Sequence, residues 1–407
     1  MRKIEMHWQI LGALVLGVIA GVFATPYVEW VTWMGDLFLR LLKMVIIPLI
    51  LSSIITGVAG IGSSAGIGRI GLKTITFYVF TSLLAILTGL FLVNLIRPGV
   101  GVDFSFAQKV ESLPVANQSL GQILLNSIPD NIFKNLASGD MLAIIFFAMV
   151  FGFFTNMADE KYRRSIIDFF SAVNEVIMKI TMAIIKLTPL GVFAIMATVI
   201  SKYASNADAL QRLVSGMGLY MICILAGLVI HTFFTLHSIM YLLGKVNPFK
   251  HFRNMSVPLL TAFSTSSSNA TLPLTMAAVE EKDGVSNKIA SFTLPLGATI
   301  NMNGTALYEC VAVIFISQAY GINLSFAQQV TVVLTALLAA IGSAGIPMAG
   351  LVMMTIVLSA VGLPLEGIGL ILAVDRLLDM FRTAVNVYGD TCAAAVIAKS
   401  EGENINV

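Results

Sequence analysis

Long apolar runs recur along this chain, and they constrain its fold more than any other feature. About 20 apolar residues in helical conformation cross the ~30 Å hydrocarbon core of a bilayer. The hydrophobic fraction is 57% and the charged fraction only 11%, whereas a soluble domain needs about twice that charge to cover its surface. We therefore expect an all-α membrane protein. Its regular spans are predicted at His7–Ala24, Val28–Ile61, Lys73–Ile96, Asp140–Met157, Val173–Ile200 and Leu213–Leu243.

Lysine and arginine residues are distributed unevenly between the predicted loops. If the N-terminus is cytoplasmic, that side receives Arg2, the basic group at Lys161–Arg164 and the group at Lys245–Arg253. The opposite side then holds few basic residues. Because basic loops stay in the cytoplasm, the sequence predicts a multi-pass protein of the cell inner membrane with both termini cytoplasmic. The formal net charge of +2 gives no support to a nucleic-acid partner.

The first predicted span contains a small-residue pattern, Gly17 followed by Gly21. Such spacing allows another helix to approach the backbone closely. In a glycine-rich apolar helix the same pattern also arises by chance, so the sequence leaves both interpretations open.

Two segments of the second half have apolar arms too short to span a bilayer. The first arm begins at Pro258, meets the polar tip Ser264–Asn269 and returns through Met276. The second runs from Gln329 to Ile341, meets the tip Gly342–Pro347 and returns to Val361. A polar, non-helical tip at membrane depth is tolerated only where it is buried in protein or lines a cavity. Paired interrupted segments predict two re-entrant helical hairpins and a transporter binding site between them.

A third interruption lies between the hairpins, from Ala298 to Thr305. Its polar and glycine residues predict a helix that unwinds within the membrane. Unwound backbone exposes carbonyl oxygens, which coordinate hard cations. The alternative is a continuous helix with a few tolerated polar residues.

The last apolar segment carries Asp375, Asp379, Arg382, Asn386 and Asp390 at intervals of three or four residues. This spacing places the five side chains on one stripe of a helix. Each charge at the bilayer centre costs roughly 2.5–3.5 kcal/mol on insertion scales, so these residues need partners. An ion pair between Asp375 and Arg382 would be the purely structural explanation.

The stripe and the first polar tip match the chemistry of an α-amino dicarboxylate. Asp379 would hold the ammonium group, and Arg382 would clamp one carboxylate with two parallel hydrogen bonds. The second carboxylate would bind the N–H and hydroxyl groups of the serine tip at a half-helix N-terminus. Thr383 and Asn386 would complete the hydrogen bonds, while Asp390 would lie deeper, where a cation fits.

Other classes of protein fit these residues less well. An intramembrane hydrolase would need a base beside the serines, yet no histidine lies near Ser264–Asn269 in the sequence. An anion channel would use a cationic stripe, whereas this stripe has mixed sign. A simple C4-dicarboxylate would leave Asp379 unpaired.

Three motifs carry a resemblance to a known family: Ser266–Ser268 with Thr271-Leu-Pro, Asn301-Met-Asn-Gly-Thr305, and Asp379 to Asn386. They resemble the signatures of the glutamate transporter family, the dicarboxylate/amino acid:cation symporters. The resemblance implies eight transmembrane helices plus two re-entrant hairpins, built from inverted repeats, and a homotrimer with an elevator mechanism. It assigns residues 1–72 to scaffold helices 1 and 2, 73–99 to transport-domain helix 3, 100–207 to the extracellular loop and scaffold helices 4 and 5, and 208–407 to the rest of the transport domain.

The resemblance also implies a set of binding residues, and no cofactor other than co-transported ions. The substrate site comprises Thr265, Ser266, Ser267, Ser268, Thr305, Ile346, Gly350, Asp379, Arg382, Thr383 and Asn386. One sodium site comprises Gly297, Asn301, Asn386 and Asp390. A second comprises Thr299, Met302, Ala340, Ile341 and Ser343. A third comprises Tyr78, Thr81, Ser82, Asn301 and Asn303.

Two positions depart from a purely sodium-coupled pattern. Asn303 stands where sodium-coupled relatives have aspartate, which removes the only full negative charge from the third site. Glu309 stands where proton-cotransporting relatives carry a glutamate. We therefore expect that protons, with or without sodium, drive uptake of glutamate or aspartate.

Overall fold

The computed structural model of the chain describes residues 6–60, 68–102, 125, 128–203, 207–341 and 349–407. Within these ranges the regular elements are all helices, which confirms the predicted all-α architecture. The helices are α1 Met6–Phe23, α2 Glu29–Gly60, α3 Gly68–Ile96, α4 Ile132–Ser138, α5 Met141–Thr155, α6 Glu160–Ile185, α7 Thr188–Tyr203, α8 Ala207–Ile230, α9 Pro248–Asn254, α10 Ser256–Thr265, α11 Ser268–Glu281, α12 Asn287–Ile300, α13 Asn303–Ala319, α14 Phe326–Ile341, α15 Ala349–Ala360 and α16 Ile368–Ser400. Helix α8 continues through π-helical turns to Gly244.

Four stretches of the described chain are long and apolar enough to cross a membrane. They are Glu29–Ala59, Arg69–Ile96, Leu210–Gly244 and Asn287–Ala319. The pair α6 and α7 would make a fifth, although the two helices are bent by 50°. These helices support a multi-pass membrane protein.

Inside the predicted span Val173–Ile200 a break separates α6 from α7, so this segment is a bent pair of helices instead of one straight helix. Pro189 is the second residue of α7. A proline has no N–H to bond to the preceding turn, so it is tolerated in the first turn of a helix and ends the helix before it. Helix α6 also begins earlier than expected, at Glu160.

A first group of helices packs around α2, which contacts α5, α6 and α7. Helix α1 runs along α7, and Gly17 and Gly21 lie at the closest approach. A Cβ atom at Gly17 would lie 2.8 Å from the Phe193 carbonyl oxygen, and one at Gly21 would lie 2.9 Å from that of Ala197. Since any larger residue would separate the helices, the structure favours the packing interpretation of this glycine pair.

A second group of helices surrounds α13, which contacts α3, α8, α14, α15 and α16. Nearly every residue of α13 is buried. A helix buried on all sides is expected to be apolar all round, yet α13 carries Asn303, Thr305 and Glu309 within this packed environment. These three buried polar residues are candidates for the functional site.

Both predicted hairpins have two helical arms in contact with each other, α10 with α11 and α14 with α15. The polar tip of the first hairpin is described. The whole second tip, including the proposed ligands Ser343 and Ile346, lies outside the described residues. The predicted interruption between the hairpins is confirmed, because α12 ends at Ile300 and α13 begins at Asn303.

The residues after α16 fold back onto the same end of the second group. Glu401 pairs with Arg69 and, at 2.6 Å, with Lys73, and the Asn406 N–H donates a 2.7 Å hydrogen bond to the carbonyl oxygen of Asp283. The hydrogen bonds from Lys73 and then Arg69 lower the pKa of the Glu401 carboxyl. The C-terminal segment therefore ties α16 to the start of α3 and to the loop after α11.

Candidate functional site

A charged cluster on α16 forms the centre of the site. Arg382 is fully buried, and its Nη2 donates hydrogen bonds of 3.1 Å to Asp375 and 2.9 Å to Asp379. The one-turn and two-turn spacing on the helix brings both acids to the same guanidinium. Because a buried ion pair needs additional hydrogen bonds to offset its desolvation, the remaining donors of Arg382 are the important feature.

Two further nitrogens of Arg382 remain available on the guanidinium. Nε and Nη1 of Arg382 make no hydrogen bond to the part of the chain that the structure describes. A Cβ atom at Gly350 would lie 3.0 Å from Nη1 and 3.1 Å from the methyl carbon of Thr305, so Gly350 leaves space beside Nη1. The parallel partner of Nη1 is Nη2, and this pair of donors can bind a carboxylate with two hydrogen bonds once an acid releases Nη2.

The ring of Tyr308 supports the guanidinium from α13. The Cζ atom of Arg382 lies 3.7 Å from the ring centroid, and both side chains are fully buried. An aromatic face attracts a cation through its quadrupole and fixes the plane of the guanidinium. Tyr308 was not predicted as a site residue from the sequence. Its position one helical turn after Thr305 could have indicated that it lies on the same face of the helix.

Asp379 is shared between two arginines. Its Oδ1 accepts from Arg382, while its Oδ2 lies 3.5 Å from Nη1 of Arg376, a partly exposed side chain. The two cationic neighbours balance the charge of this carboxylate. It can therefore exchange one of these partners for another cation that enters the site.

Asn386 joins α16 to the broken part of α12 and α13. Its Oδ1 accepts a 2.8 Å hydrogen bond from the N–H of Gly304, and its Nδ2 lies 3.1 Å from the Thr305 hydroxyl and 3.3 Å from the sulfur of Met302. The side chain thus satisfies backbone that the helix break leaves without an intrahelical partner. Thr383, by contrast, donates to the Asp379 carbonyl of its own helix.

The first hairpin, which carries the serine tip, packs against α16. Ser266 has φ of +51°, a left-handed conformation that ends α10, and Ser267 caps α11 by accepting a 3.2 Å hydrogen bond from the N–H of Ala270. Near the tip, the ring of Phe263 lies 5.0 Å from that of Phe381, the neighbour of Arg382. Ser266, Ser267 and Ser268 are all buried, whereas Thr265 donates to Thr261 of its own helix.

Three residues of the predicted first sodium site converge, together with Tyr78 of the predicted third site. Asn301 donates a 2.8 Å hydrogen bond to Oδ1 of Asp390, and the Asn301 N–H donates to the Gly297 carbonyl at 2.8 Å. A Cβ atom at Gly297 would overlap Oδ1 of Asp390 and lie 2.6 Å from the hydroxyl of Tyr78. One buried carboxylate among carbonyl and hydroxyl oxygens suits a monovalent hard cation.

Most polar groups of the predicted third sodium site already form hydrogen bonds within the protein. The Ser82 hydroxyl donates a 2.6 Å hydrogen bond to Oδ1 of Asn303, and Tyr78 and Thr81 donate to backbone carbonyls. A Cβ atom at Gly389 would lie 2.9 Å from the amide nitrogens of both Asn301 and Asn303. Gly389 was not predicted from the sequence either. It leaves space for two asparagine side chains that are distant in the sequence.

The predicted second site is only partly described. Thr299 and Met302 lie at the end of α12 and in the break after it, and Ala340 and Ile341 end α14. Helices α12 and α14 are in contact. Met302 and Ala340 are buried, Thr299 is exposed, and Ser343 lies outside the described residues.

Glu309 lies on α13 one turn beyond Thr305 and is fully buried. Neither carboxyl oxygen has a hydrogen-bond partner among the described residues. A buried polar group without a partner costs free energy, so its presence needs a functional explanation.

Comparison with known proteins agrees with this geometry. The profile of the Sodium:dicarboxylate symporter family matches residues 6–400. The chain is 36% identical to a proton/sodium-glutamate symport protein of Bacillus caldotenax, over 99% of this chain and 96% of that protein. It is 36% identical to excitatory amino acid transporter 3 of Mus musculus, over 98% of this chain and 86% of that protein. The chain therefore belongs to the sodium:dicarboxylate symporter family and is a membrane transporter rather than an enzyme.

Proposed function

We propose that this protein is a secondary active symporter that takes up L-glutamate or L-aspartate, driven by gradients of protons, sodium or both. The unpartnered Nη1 group of Arg382 beside Gly350 and Thr305 is the observation that carries the proposal, because it offers charge-assisted donors to one carboxylate and has Nη2 as its parallel second donor. The names of the relatives, proton/sodium-glutamate symport protein and excitatory amino acid transporter, support the same substrate class.

The substrate ammonium group would displace Arg382 or Arg376 from Asp379. This exchange keeps every charge paired, since the released guanidinium donors turn to the incoming carboxylate. The second carboxylate would bind the tip at Ser266–Ser268, where α11 begins and its first N–H groups point outward. Thr305, Thr383 and Asn386 would complete the site, together with Thr265, Ile346 and Gly350.

A C4-dicarboxylate is the second candidate substrate, and the name of the sodium:dicarboxylate symporter family favours it. Such a substrate has two carboxylates and no ammonium group. It would leave Asp379 facing an anion, which costs free energy at close range. For this reason we rank the acidic amino acids first.

Sodium would bind where Asp390, Asn301, Gly297 and Tyr78 converge, and a second ion would bind at the residues that end α12 and α14. The predicted third sodium site would bind a cation more weakly than the other two. Asn303 has no charge, and its oxygen already accepts from Ser82.

Glu309 would carry the proton. A buried carboxyl without a hydrogen-bond partner is unfavourable when charged, so it would be neutral during transport with substrate and would lose its proton where water reaches it. Its place one turn from Thr305 couples it to the substrate site through α13.

The two packing groups support the proposed division into moving and fixed parts. The group around α2 would be the scaffold of a homotrimer, and the group around α13 would be the transport domain that moves as an elevator. The hairpin of α14 and α15 would be the extracellular gate. Eight spanning helices, inverted repeats, an inner-membrane location and cytoplasmic termini belong to the same proposal.

The experiment is uptake of labelled L-glutamate, L-aspartate and succinate into proteoliposomes, with sodium and pH gradients imposed separately. Accumulation of an acidic amino acid against its concentration is the expected result, and it also distinguishes a carrier from an anion channel. Accumulation of succinate alone would replace the proposal by the dicarboxylate alternative.

Arg382→Lys tests the role of the guanidinium in the same assay. Lysine keeps the charge but lacks the parallel donors, so we expect uptake to fall at least tenfold. Arg164→Lys is the matched control, because Arg164 is exposed and pairs only with Glu160 among the described residues. Equal uptake by both variants would contradict the proposed clamp.

A further inference from the structure

A cavity of about 650 Å³ lies on the outer side of α16, away from Arg382. It is bounded by the middle of α8, by the first arm of hairpin one and by α16. The lining is almost entirely apolar, with Leu228 and Val229 from α8, Leu259 and Phe263 from α10, and Val385 from α16. Nothing proposed above for substrate or ion binding uses these side chains.

The cavity has the shape of a groove that opens to the hydrocarbon. Val229 and Leu260 line it and remain largely exposed. On α10 the lining runs from Ser256 to Phe263, which is about 10 Å at 1.5 Å per residue. An apolar groove of this length that faces the bilayer accommodates part of a fatty acyl chain.

One end of the groove meets a basic segment. Phe252 of α9 lines the cavity, and the next residue is Arg253, which is exposed and has no ion pair among the described residues. The segment from residue 244 to 256 contains Lys245, Lys250 and Arg253 but no aspartate or glutamate. His251 does not add to this surface, because it is buried and bonded to Asp283 at 2.5 Å.

We propose that this groove binds an anionic phospholipid of the cytoplasmic leaflet, with one acyl chain between α8, α10 and α16 and its phosphate at Arg253 and Lys245. The charge complementarity favours an anionic headgroup. Each basic residue near a membrane surface contributes about 1 kcal/mol of attraction to anionic lipid, a factor of about five. The proposed orientation of the chain places these residues on the cytoplasmic side, where anionic lipids of the inner leaflet are available.

A lipid in this groove would touch the helix that carries the substrate site. Phe381 and Val385 line the cavity and alternate along α16 with Arg382 and Asn386. The Phe263 ring, 5.0 Å from that of Phe381, connects the same groove to the serine tip. An acyl chain here would fill space on the outer side of both elements.

The test uses phosphatidylglycerol and phosphatidylcholine that carry a photoreactive diazirine in the acyl chain, reconstituted with the full-length protein. After irradiation, labelled peptides are identified by mass spectrometry. We expect label on residues 225–233 and 256–263, stronger with phosphatidylglycerol than with phosphatidylcholine. Arg253→Gln and Lys245→Gln should each reduce that preference about fivefold, and Lys288→Gln, an exposed cation outside the groove, should not.

Val229→Trp should fill the groove and remove the label, whereas Val214→Trp, on an exposed part of the same helix outside the groove, should not. Equal labelling by both lipids that is insensitive to Arg253→Gln would overturn the headgroup assignment. No label on these peptides with either lipid would overturn the lipid site itself.

Discussion

The guanidinium carbon of Arg382 lies 3.7 Å from the centroid of the Tyr308 ring, and both residues are buried completely. Tyr308 belongs to α13 and Arg382 to α16, so the contact joins the two helices that provide most of the polar site. Asp375 and Asp379 accept hydrogen bonds from Nη2 of Arg382, and the Tyr308 ring fixes the plane of the guanidinium. The unpartnered Nη1 group of Arg382 is thereby oriented before any substrate arrives, which reduces the entropy lost on binding.

Replacing Tyr308 should reveal this orientation. Tyr308→Leu removes the aromatic face, and we expect the affinity for glutamate to fall about 5- to 30-fold, from a cation–π energy of about 1–2 kcal/mol in a desolvated site. Tyr308→Phe keeps the face and should remain within about threefold of the original protein. Calorimetric titration of the purified variants with glutamate measures both. Similar losses for leucine and phenylalanine would assign the effect to the hydroxyl group instead of the ring.

The sequence predicted the helical class, both hairpins and the break before Asn303, because polar residues inside apolar runs have few physical explanations in a membrane. It also identified the stripe on α16, since helical periodicity is local information. It did not find the bend between α6 and α7, where one proline outweighs the hydrophobic pattern. Tyr308 and Gly389 were missed for another reason: their roles depend on contacts between helices that periodicity does not report.

Gly297→Ala should disturb the first sodium region specifically. The added Cβ would overlap the Asp390 carboxylate and approach the Tyr78 hydroxyl. We expect the rise in melting temperature on replacing potassium chloride by sodium chloride to be lost. Gly12→Ala is the control, because a Cβ there meets nothing within 4 Å, and it should preserve the response. A normal sodium response in Gly297→Ala would remove this region from the candidate cation sites.

The Glu401 contacts predict a pH-dependent contribution to stability. The pKa of Glu401 is lowered by Lys73 and Arg69, so the contribution is fully present above the unfolded value of about 4.3 and is lost as pH falls through the folded value. Glu401→Gln should therefore lower the melting temperature at pH 7, and the difference should disappear near pH 3. Glu281→Gln, at an exposed acid with no ion pair among the described residues, is the control at both pH values. A difference that persists at pH 3 would show that packing, not charge, explains the effect.

Asn303 and Glu309 together should decide which ion drives transport. With an inward proton gradient and no sodium, we expect uptake by the original protein, and we expect Glu309→Gln to abolish its dependence on pH because glutamine cannot release a proton. Glu366→Gln, at an exposed acid of the same chain, should leave that dependence intact. Asn303→Asp adds a carboxylate 2.6 Å from the Ser82 hydroxyl position and should increase the stimulation by sodium. Uptake that requires sodium, ignores pH and is unchanged in Glu309→Gln would refute proton coupling through this residue and would mean that sodium sites without a carboxylate at 303 are sufficient.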